Sequence, residues 1–527
     1  MRNTTIFIIA TIVCVPLLLF IPRWWRRWWN EDQASHTQRF LKNSSLPILA
    51  NLFGKVLDLG FAAITLRALG PTASGAWSFV ALITSMYLVT IVNWGLNDLA
   101  VREAAINPQQ APTIFGVSVS MRWLIAAVVT PLTILGLWLL RDIMPPLSWG
   151  TQLALVLLLI HLWPAGAAAA ASASFQAAQR MEIPALVVVV TSLVRTIVGI
   201  GVVWWLPDSD SRIAGMAAVA LATTIMNAGL LWGLQQRLLF TAWPQWDVVL
   251  MRRLWVSGFP LLLNSLLLTV FFRFDAVILR SVAGDAVLGL YDAAYKVIAM
   301  TQIIPPYVVG ALFPLLAQRA AHQRELLAPL VARAIGVLQW VAWFGVVIVT
   351  LMADELIWVL GGKAYLPGAA QALRVLIWYL PLSYTTGVLQ YALIAIQRQK
   401  TITLAFAIGT IVNIGCNLVL IPHYGALAAA AVTIATEVAL MAAVWPTLRA
   451  AGLFLPWRTL MTASGGAIIV IGAGFLVRQW LPVPAIGVTI GAVFVLTIFA
   501  FYSGTLDNAV MVQVQRLTQR IKTRFAR

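Results

Sequence analysis

The chain has 527 residues, of which 61% are hydrophobic and only 10% charged, and its mean hydropathy is +0.89. That leaves too little polar material to cover a water-soluble protein, and many apolar runs reach the roughly 20 residues with which a helix crosses about 30 Å of hydrocarbon. The ten-residue alternation of a membrane barrel is absent, and the formal charge of +17 is scattered through short loops and the tail rather than gathered in one domain, which argues against nucleic acid as a partner.

Residues 4–22 form an apolar run of marginal spanning length, broken by Pro16 and followed from Arg23 by RWWRRWW, a mixture suited to a membrane interface. Lacking a strongly basic start and a small-x-small cleavage site, the run predicts a signal anchor or extra helix rather than a removed leader. With the polar linker of residues 30–44 it makes an N-terminal region, 1–44. Fourteen apolar segments follow, near 46–67, 75–97, 112–140, 150–178, 184–206, 212–235, 254–281, 287–316, 329–352, 368–395, 401–421, 424–447, 459–480 and 483–503. The first six define residues 45–236, a connector spans 237–253, six more define 254–450, and the last two define 451–504. Residues 505–527 read as a basic amphipathic tail lying on anionic lipid.

Loop charge tests this parity. Loops on the side of the linker, with the tail, carry Arg and Lys roughly threefold more often than the opposite loops, which places the linker and the C-terminus in the cytoplasm. The expected location is therefore the cytoplasmic (inner) membrane, crossed many times.

The chain also repeats itself. Residues 62–79 read AAITLRALGPTASGAWSF, and residues 271–296 read FFRFDAVILRSVAGDAVLGLYDAAYK. Ala63 set over Ala276 brings Leu66 over Leu279 and Arg67 over Arg280. One extra residue in the later turn then brings Gly75-Ala76-Trp77 over Gly289-Leu290-Tyr291. A second pair, FQAAQR at 175–180 and LIAIQR at 393–398, ends segments that are also six apart. Because six is even, the copies face the same way, and the two six-helix bundles should be related by a pseudo-two-fold axis along the membrane normal.

These residues resemble a known family. LRALGPTASGAWSFVALI with NWGLNDLAVREAA at 93–105, RFDAVILRSVAGDAVLGLYDAAYK, and NIGCNLVLIPHYGALAAAAVTIATE at 413–437 are similar, in order, to signatures of bacterial polysaccharide exporters. These are the oligosaccharide flippases of the multidrug/oligosaccharidyl-lipid/polysaccharide (MOP) exporter superfamily, and the resemblance runs from Ser45 to the C-terminus. It implies an all-α polytopic membrane protein. Two six-helix bundles would form a V around a cavity, two extra C-terminal helices would give 14 transmembrane helices, and access would alternate. The N-terminal apolar helix is outside that pattern. The resemblance further implies a lumen whose cations hold the diphosphate and acidic sugars of a lipid-linked oligosaccharide, with a polysaccharide polymerase and chain-length machinery as partners beside membrane lipids.

Charges inside apolar segments are costly and tend to face a cavity or a partner. Arg195 is central in its segment; Arg122, Arg273, Lys296 and Arg374 are the other cations, and Arg is well shaped for bidentate phosphate contact. Against that reading, Arg273 can pair with Asp275, Lys296 with Asp292, and Arg122 and Arg374 can snorkel to an interface. Glu437 lies inside an apolar segment without a local cation, and Asp58 is three residues from Lys55, its expected partner. Both carboxylates are candidates for coupling to H+ or Na+. Asn413 and Asn417 share a helix face, where they would meet sugar hydroxyls or a neighbouring helix. Cys14 and Cys416 lie in apolar runs, and His36, His161, His322 and His423 are far apart, so neither a disulfide framework nor a zinc site is expected, and no cofactor.

The expected function is translocation of a polyprenyl-diphosphate-linked oligosaccharide for surface polysaccharide assembly. A peptidoglycan-precursor flippase or a multidrug exporter shares the same frame. A membrane glycan polymerase or glycosyltransferase would show a large outside loop or an acidic motif for catalysis. Here the only tight acidic pair outside is Asp208 and Asp210, which reads as a solvated turn, and a non-transporting scaffold leaves the repeat and the buried cations without a use.

Overall fold

The computed structural model describes residues 36–142, 145–480 and 484–504. The apolar run at 4–22, its Trp- and Arg-rich exit and the basic tail after residue 504 lie outside the described residues. Among the described residues every regular element is a helix. Before the connector come α1 (His36–Leu82), α2 (Val89–Asn93), α3 (Leu96–Ile106), α4 (Ala111–Leu139), α5 (Trp149–Ile160), α6 (Leu162–Ala177), α7 (Glu182–Trp205) and α8 (Ser209–Leu238). After it come α9 (Val248–Thr301), α10 (Ile304–His322), α11 (Leu327–Leu351), α12 (Ala353–Gly361), α13 (Gly368–Leu376), α14 (Leu380–Ala395), α15 (Gln399–Ala450), α16 (Trp457–Trp480) and α17 (Ala485–Tyr502). The polar stretch read as a linker is helical from His36 onward, a correction to the sequence reading.

Helices α1, α9 and α15 each contain one glycine with non-helical backbone: Gly70 (φ 72°, ψ 175°), Gly284 (φ 84°, ψ 176°) and Gly425 (φ 56°, ψ −131°). In a straight helix Arg273 and Asp292 would stand about 28 Å apart, yet they hydrogen-bond at 2.8 Å. Asn413 and Thr436 likewise bond at 3.3 Å across Gly425. The chain therefore folds back at these glycines, and the matching dihedrals of Gly70 and Gly284 give α1 and α9 the same turn. Glycine is needed there because a Cβ clashes with the backbone at positive φ. The second repeat also recurs as geometry. Gln179 (φ 57°) and Gln397 (φ 60°) both turn left-handed. The Arg180 N–H then donates to Phe175 O at 2.9 Å and the Arg398 N–H to Leu393 O at 2.8 Å, the same helix-ending cap.

Three segments read as single helices are broken. α5 stops at Ile160, α9 at Thr301 and α13 at Leu376. Pro164, Pro305 and Pro381 explain the breaks: each lacks an N–H and collides with the carbonyl four residues back, that of Ile160, Thr301 and Ile377.

Ten helical runs among the described residues are long and apolar enough to cross a membrane. Large apolar side chains such as Ile197, Trp205, Ile411, Val419 and Ile469 stand on the outer surface, where lipid rather than water is their solvent. Helices before the connector pack mainly on one another, as do those after it, while α16 and α17 lean on α11. The two sets meet chiefly where α1 lies against α9, and one continuous apolar core runs through that contact.

Candidate functional site

The contact between α1 and α9 is self-complementary. A Cβ on Gly75 would overlap the backbone carbonyl of Asp285, and a Cβ on Gly289 would overlap that of Pro71. In the register that sets Gly75 over Gly289, Pro71 falls over Asp285. Each copy thus offers its glycine to the other copy's turn, the reciprocity that a two-fold axis demands. The paired arginines obey the same rule. Arg67 donates to the carbonyls of Trp358 (3.0 Å) and Val359 (2.7 Å) in α12, in the link between α11 and α13. Arg280 donates to the Pro145 carbonyl (3.3 Å) in the link between α4 and α5, and stacks 4.2 Å from the Phe79 ring. Arg280 is 1% exposed and held by Asp285 at 2.6 Å. Ser74 and Tyr365 add a hydrogen bond of 2.8 Å between the halves.

Charge collects in the α9 hairpin. Asp292 is the node: it accepts from Arg273 at 2.8 Å, from Lys296 at 3.0 Å and, across the crossing, from the Ser78 hydroxyl at 2.8 Å. Arg273 and Asp292 are 11% and 7% exposed, so their attraction is little screened by water. Arg273 therefore pairs with Asp292 and not with Asp275, whose carboxylate instead takes the Tyr291 hydroxyl and the Ala276 N–H. The Arg273 guanidinium also stacks 4.3 Å from the centre of the Tyr295 ring. From α1, the local π-helical turn Ile83–Leu88 carries the Tyr87 hydroxyl into the field of Arg273 and Asp275, where it is buried without a hydrogen-bond partner. Such turns recur at functional positions.

The fold has known counterparts. Residues 40–319, more than half of the chain, match the family described as polysaccharide biosynthesis protein, and residues 260–419 match the MatE family. The chain belongs to the polysaccharide biosynthesis protein family. Its fold is that of solved transporters. Among solved structures, a lipid II flippase, MurJ, in an inward closed conformation is similar in fold at 12% identity, with a TM-score of 0.72 over 89% of this chain and 100% of that one. An inward-facing multidrug resistance MATE family transporter of the MOP superfamily matches at 14% identity, with a TM-score of 0.62 over 75% and 94%. A MOP superfamily transporter from Pyrococcus furiosus matches at 15% identity, with a TM-score of 0.54 over 78% and 95%. No curated protein matches in sequence.

In this polysaccharide biosynthesis family member the remaining candidate residues are dispersed. Arg195 on α7 pairs with Asp58 on α1, both partly exposed, so the partner of Asp58 is Arg195 and not Lys55. Arg122 is fully buried without a carboxylate partner. Its guanidinium bonds the side-chain oxygens of Asn93 (3.1 Å) and Asn97 (2.7 Å) and the Ser118 carbonyl (3.3 Å). It does not reach an interface. It grips both sides of the α2–α3 break, where Trp94 and Gly95 are left-handed. Arg374 pairs with Asp354 in the α12–α13 region. Asn413 and Asn417 are buried and bond each other at 3.0 Å; Asn413 also donates to Thr436 at 3.3 Å across the turn and lines a small void.

Glu437, 4% exposed, accepts from Thr386 at 2.9 Å and lies in the wall of a cavity of about 430 Å³ among α9, α10, α14 and α15. Behind it, a void of about 20 Å³ separates Glu437 from Asp275, Asn413 and Thr433. Among the described residues no group of three or more His, Cys, Asp or Glu is arranged to hold a metal. Asp208 caps α8 through the Ser211 N–H (2.8 Å), and Asp210 accepts from Ser148, so this acidic pair closes turns. Sequence reasoning missed Ser78 entirely. A serine in an apolar run carries no signal alone, but the repeat register sets it over Asp292.

Proposed function

We propose that this protein flips a polyprenyl-diphosphate-linked oligosaccharide across the cytoplasmic membrane by rocking two six-helix bundles, residues 45–236 and 254–450, about the α1–α9 crossing. The observation that carries the reading is that crossing: two copies of one hairpin meet reciprocally through glycines, with Arg273 and Asp292 largely buried beside the seam and Lys296 partly exposed there. A glycine seam lets helices approach closely and re-pack at little cost. Cations beside it supply attraction for an anionic head group that must leave water. Fourteen crossings account for the helices if each folded run counts twice and the broken α12–α14 segment once. The loop charges orient the connector and the C-terminus toward the cytoplasm. Arg195, partly exposed and paired with Asp58, is the most exposed of these candidate cations and so the most accessible to a diphosphate. Arg122 and Arg374, held by local partners, support the frame. Ion coupling fits Glu437, whose neighbouring void has room for one water or one desolvated ion. Asp58, tied to Arg195, couples charge to head-group arrival.

The test is complementation of a strain lacking its oligosaccharide flippase, with wild type beside Arg195→Ala at equal protein level. Restored surface polysaccharide with wild type and at least a tenfold loss with the variant are expected, on the scale of one charge-assisted contact. Restoration of peptidoglycan-precursor export alone, or of drug resistance alone, would move the cargo to those classes. Polymerase and chain-length proteins are proposed partners, to be sought by crosslinking in the same strain.

A further inference from the structure

We propose that the 430 Å³ cavity beside the break between α9 and α10 is a subsite for the neutral sugar rings nearest the diphosphate; the proposal rests on the flippase reading above. The break is built rather than accidental. α9 ends at Thr301, whose carbonyl accepts from the Tyr384 hydroxyl, and the side chain of Gln302 is held by Tyr379 (2.6 Å) and Ser383 (3.1 Å) of the facing helices. Interrupted helices inside transporters commonly form the cargo site, because they expose polar groups where a continuous helix has none.

The lining matches a sugar better than an ion or a drug. Phe272, Tyr295 and Tyr391 line it, and aromatic rings are suited to the apolar C–H faces of a pyranose. Among the described residues, Gln390, also in the lining, makes no side-chain hydrogen bond, and Glu437 receives the one from Thr386 alone. An unengaged amide offers donors and an acceptor, and a carboxylate offers acceptors, the complement of neighbouring hydroxyls that both give and take. At about 430 Å³ the cavity is within the range that takes a small organic ligand, and far larger than the roughly 30 Å³ that one water occupies.

Its position decides the ligand. Tyr295 lines the cavity, and the Arg273 guanidinium lies 4.3 Å from the centre of the same ring. A diphosphate drawn to the Arg273–Lys296 side would hold its covalently attached sugar within reach of the aromatic pocket. Cargo recognition then divides into an anion half, shared by every polyprenyl diphosphate, and a sugar half.

Two lipids test this on the purified full chain by native mass spectrometry: a polyprenyl diphosphate, and the same lipid bearing a disaccharide of neutral hexoses. Wild type should bind the glycosylated lipid about tenfold more tightly, because only it satisfies the open polar groups. Gly387 lines the cavity, and a Cβ there would have only Pro305 within 4 Å, at 3.9 Å, so Gly387→Leu fills the pocket while favouring its helix. This variant should abolish the advantage of the sugar and leave the bare lipid within about twofold. Gln390→Ala, which removes hydrogen bonds without adding bulk, should cut the advantage roughly threefold to tenfold. If both variants retain the full advantage, or wild type binds the two lipids equally, the subsite is wrong while the diphosphate reading stands. If wild type binds neither lipid, the flippase reading itself falls.

Discussion

The two hairpins at the centre of the molecule share a backbone and differ in charge. Gly70 and Gly284 turn with nearly the same dihedrals, Gly75 and Gly289 each press a carbonyl of the other copy, and Arg67 and Arg280 each reach across to the opposite half. Yet in the same register Arg273, Asp275, Asp292 and Lys296 of the second hairpin face Gly60, Ala62, Ser78 and Leu82 of the first. Ser78 and Asp292, equivalent positions, hydrogen-bond to each other. Packing at a close helix crossing tolerates almost no change, because any added atom meets backbone. Side chains beside that seam are freer, and there the second copy carries ion pairs where the matching positions of the first are uncharged.

Removing charge from the second copy should break this difference most severely. Asp292→Ala leaves the largely buried Arg273, and the partly exposed Lys296, without their counter-ion, and loss of one partner of a buried pair costs about 3–5 kcal/mol. Thermal unfolding in detergent should show it, whereas Ser78→Ala, on the neutral copy, removes one hydrogen bond and should cost about 1 kcal/mol. Equal effects would mean that Asp292 is not the node of the cluster.

The seam should treat both copies alike. Gly75→Ala and Gly289→Ala each force an overlap with carbonyl oxygen, and overpacking of this kind costs about 1–3 kcal/mol. Both should lower stability by similar amounts and reduce export at matched protein level; a strong asymmetry would deny the two-fold reciprocity. The arginine clamps should differ more modestly. Arg280→Ala opens a buried pair with Asp285, whereas Arg67→Ala removes carbonyl contacts from an exposed side chain, where the loss should stay within about 1 kcal/mol. Unfolding of the two variants side by side gives the comparison.

The smallest effect lies outside the hairpins, at the cap of α8. The Ser211 N–H and hydroxyl hold the Asp208 carboxyl below its ordinary value. A lowered folded-state pKa means that the cap contributes above the unfolded value near 4 and is lost as pH falls through the folded value. Unfolding temperatures of wild type and Asp208→Ala should therefore differ slightly at neutral pH and converge in acid. A gap that widens in acid would contradict the cap.

Several features were legible in the residues alone, and for a common reason. The apolar runs, their number before and after the connector and the repeated Leu-Arg-turn-Gly pattern are local, so periodicity and composition expose them. The breaks at His161, Gln302 and Ile377 were written beside prolines, but a proline in an apolar run kinks, ends or is tolerated according to what its neighbours supply. Pairing was the least legible. Asp58 was set beside Lys55 three residues away and instead meets Arg195 from another helix. Arg273 was set beside Asp275 and instead meets Asp292 across the turn.

The sequence by itself determined that this chain crosses a membrane as helices, that it carries a repeated hairpin, and to which family it belongs. All three follow from which residues are apolar and how they are spaced. Only the tertiary structure decided which charges neutralise one another, which asparagines are consumed in packing, and that a serine of one copy lies against an aspartate of the other. In a medium that cannot solvate charge, a buried ion takes the partner that the fold brings to it, and sequence distance says little about which partner that is.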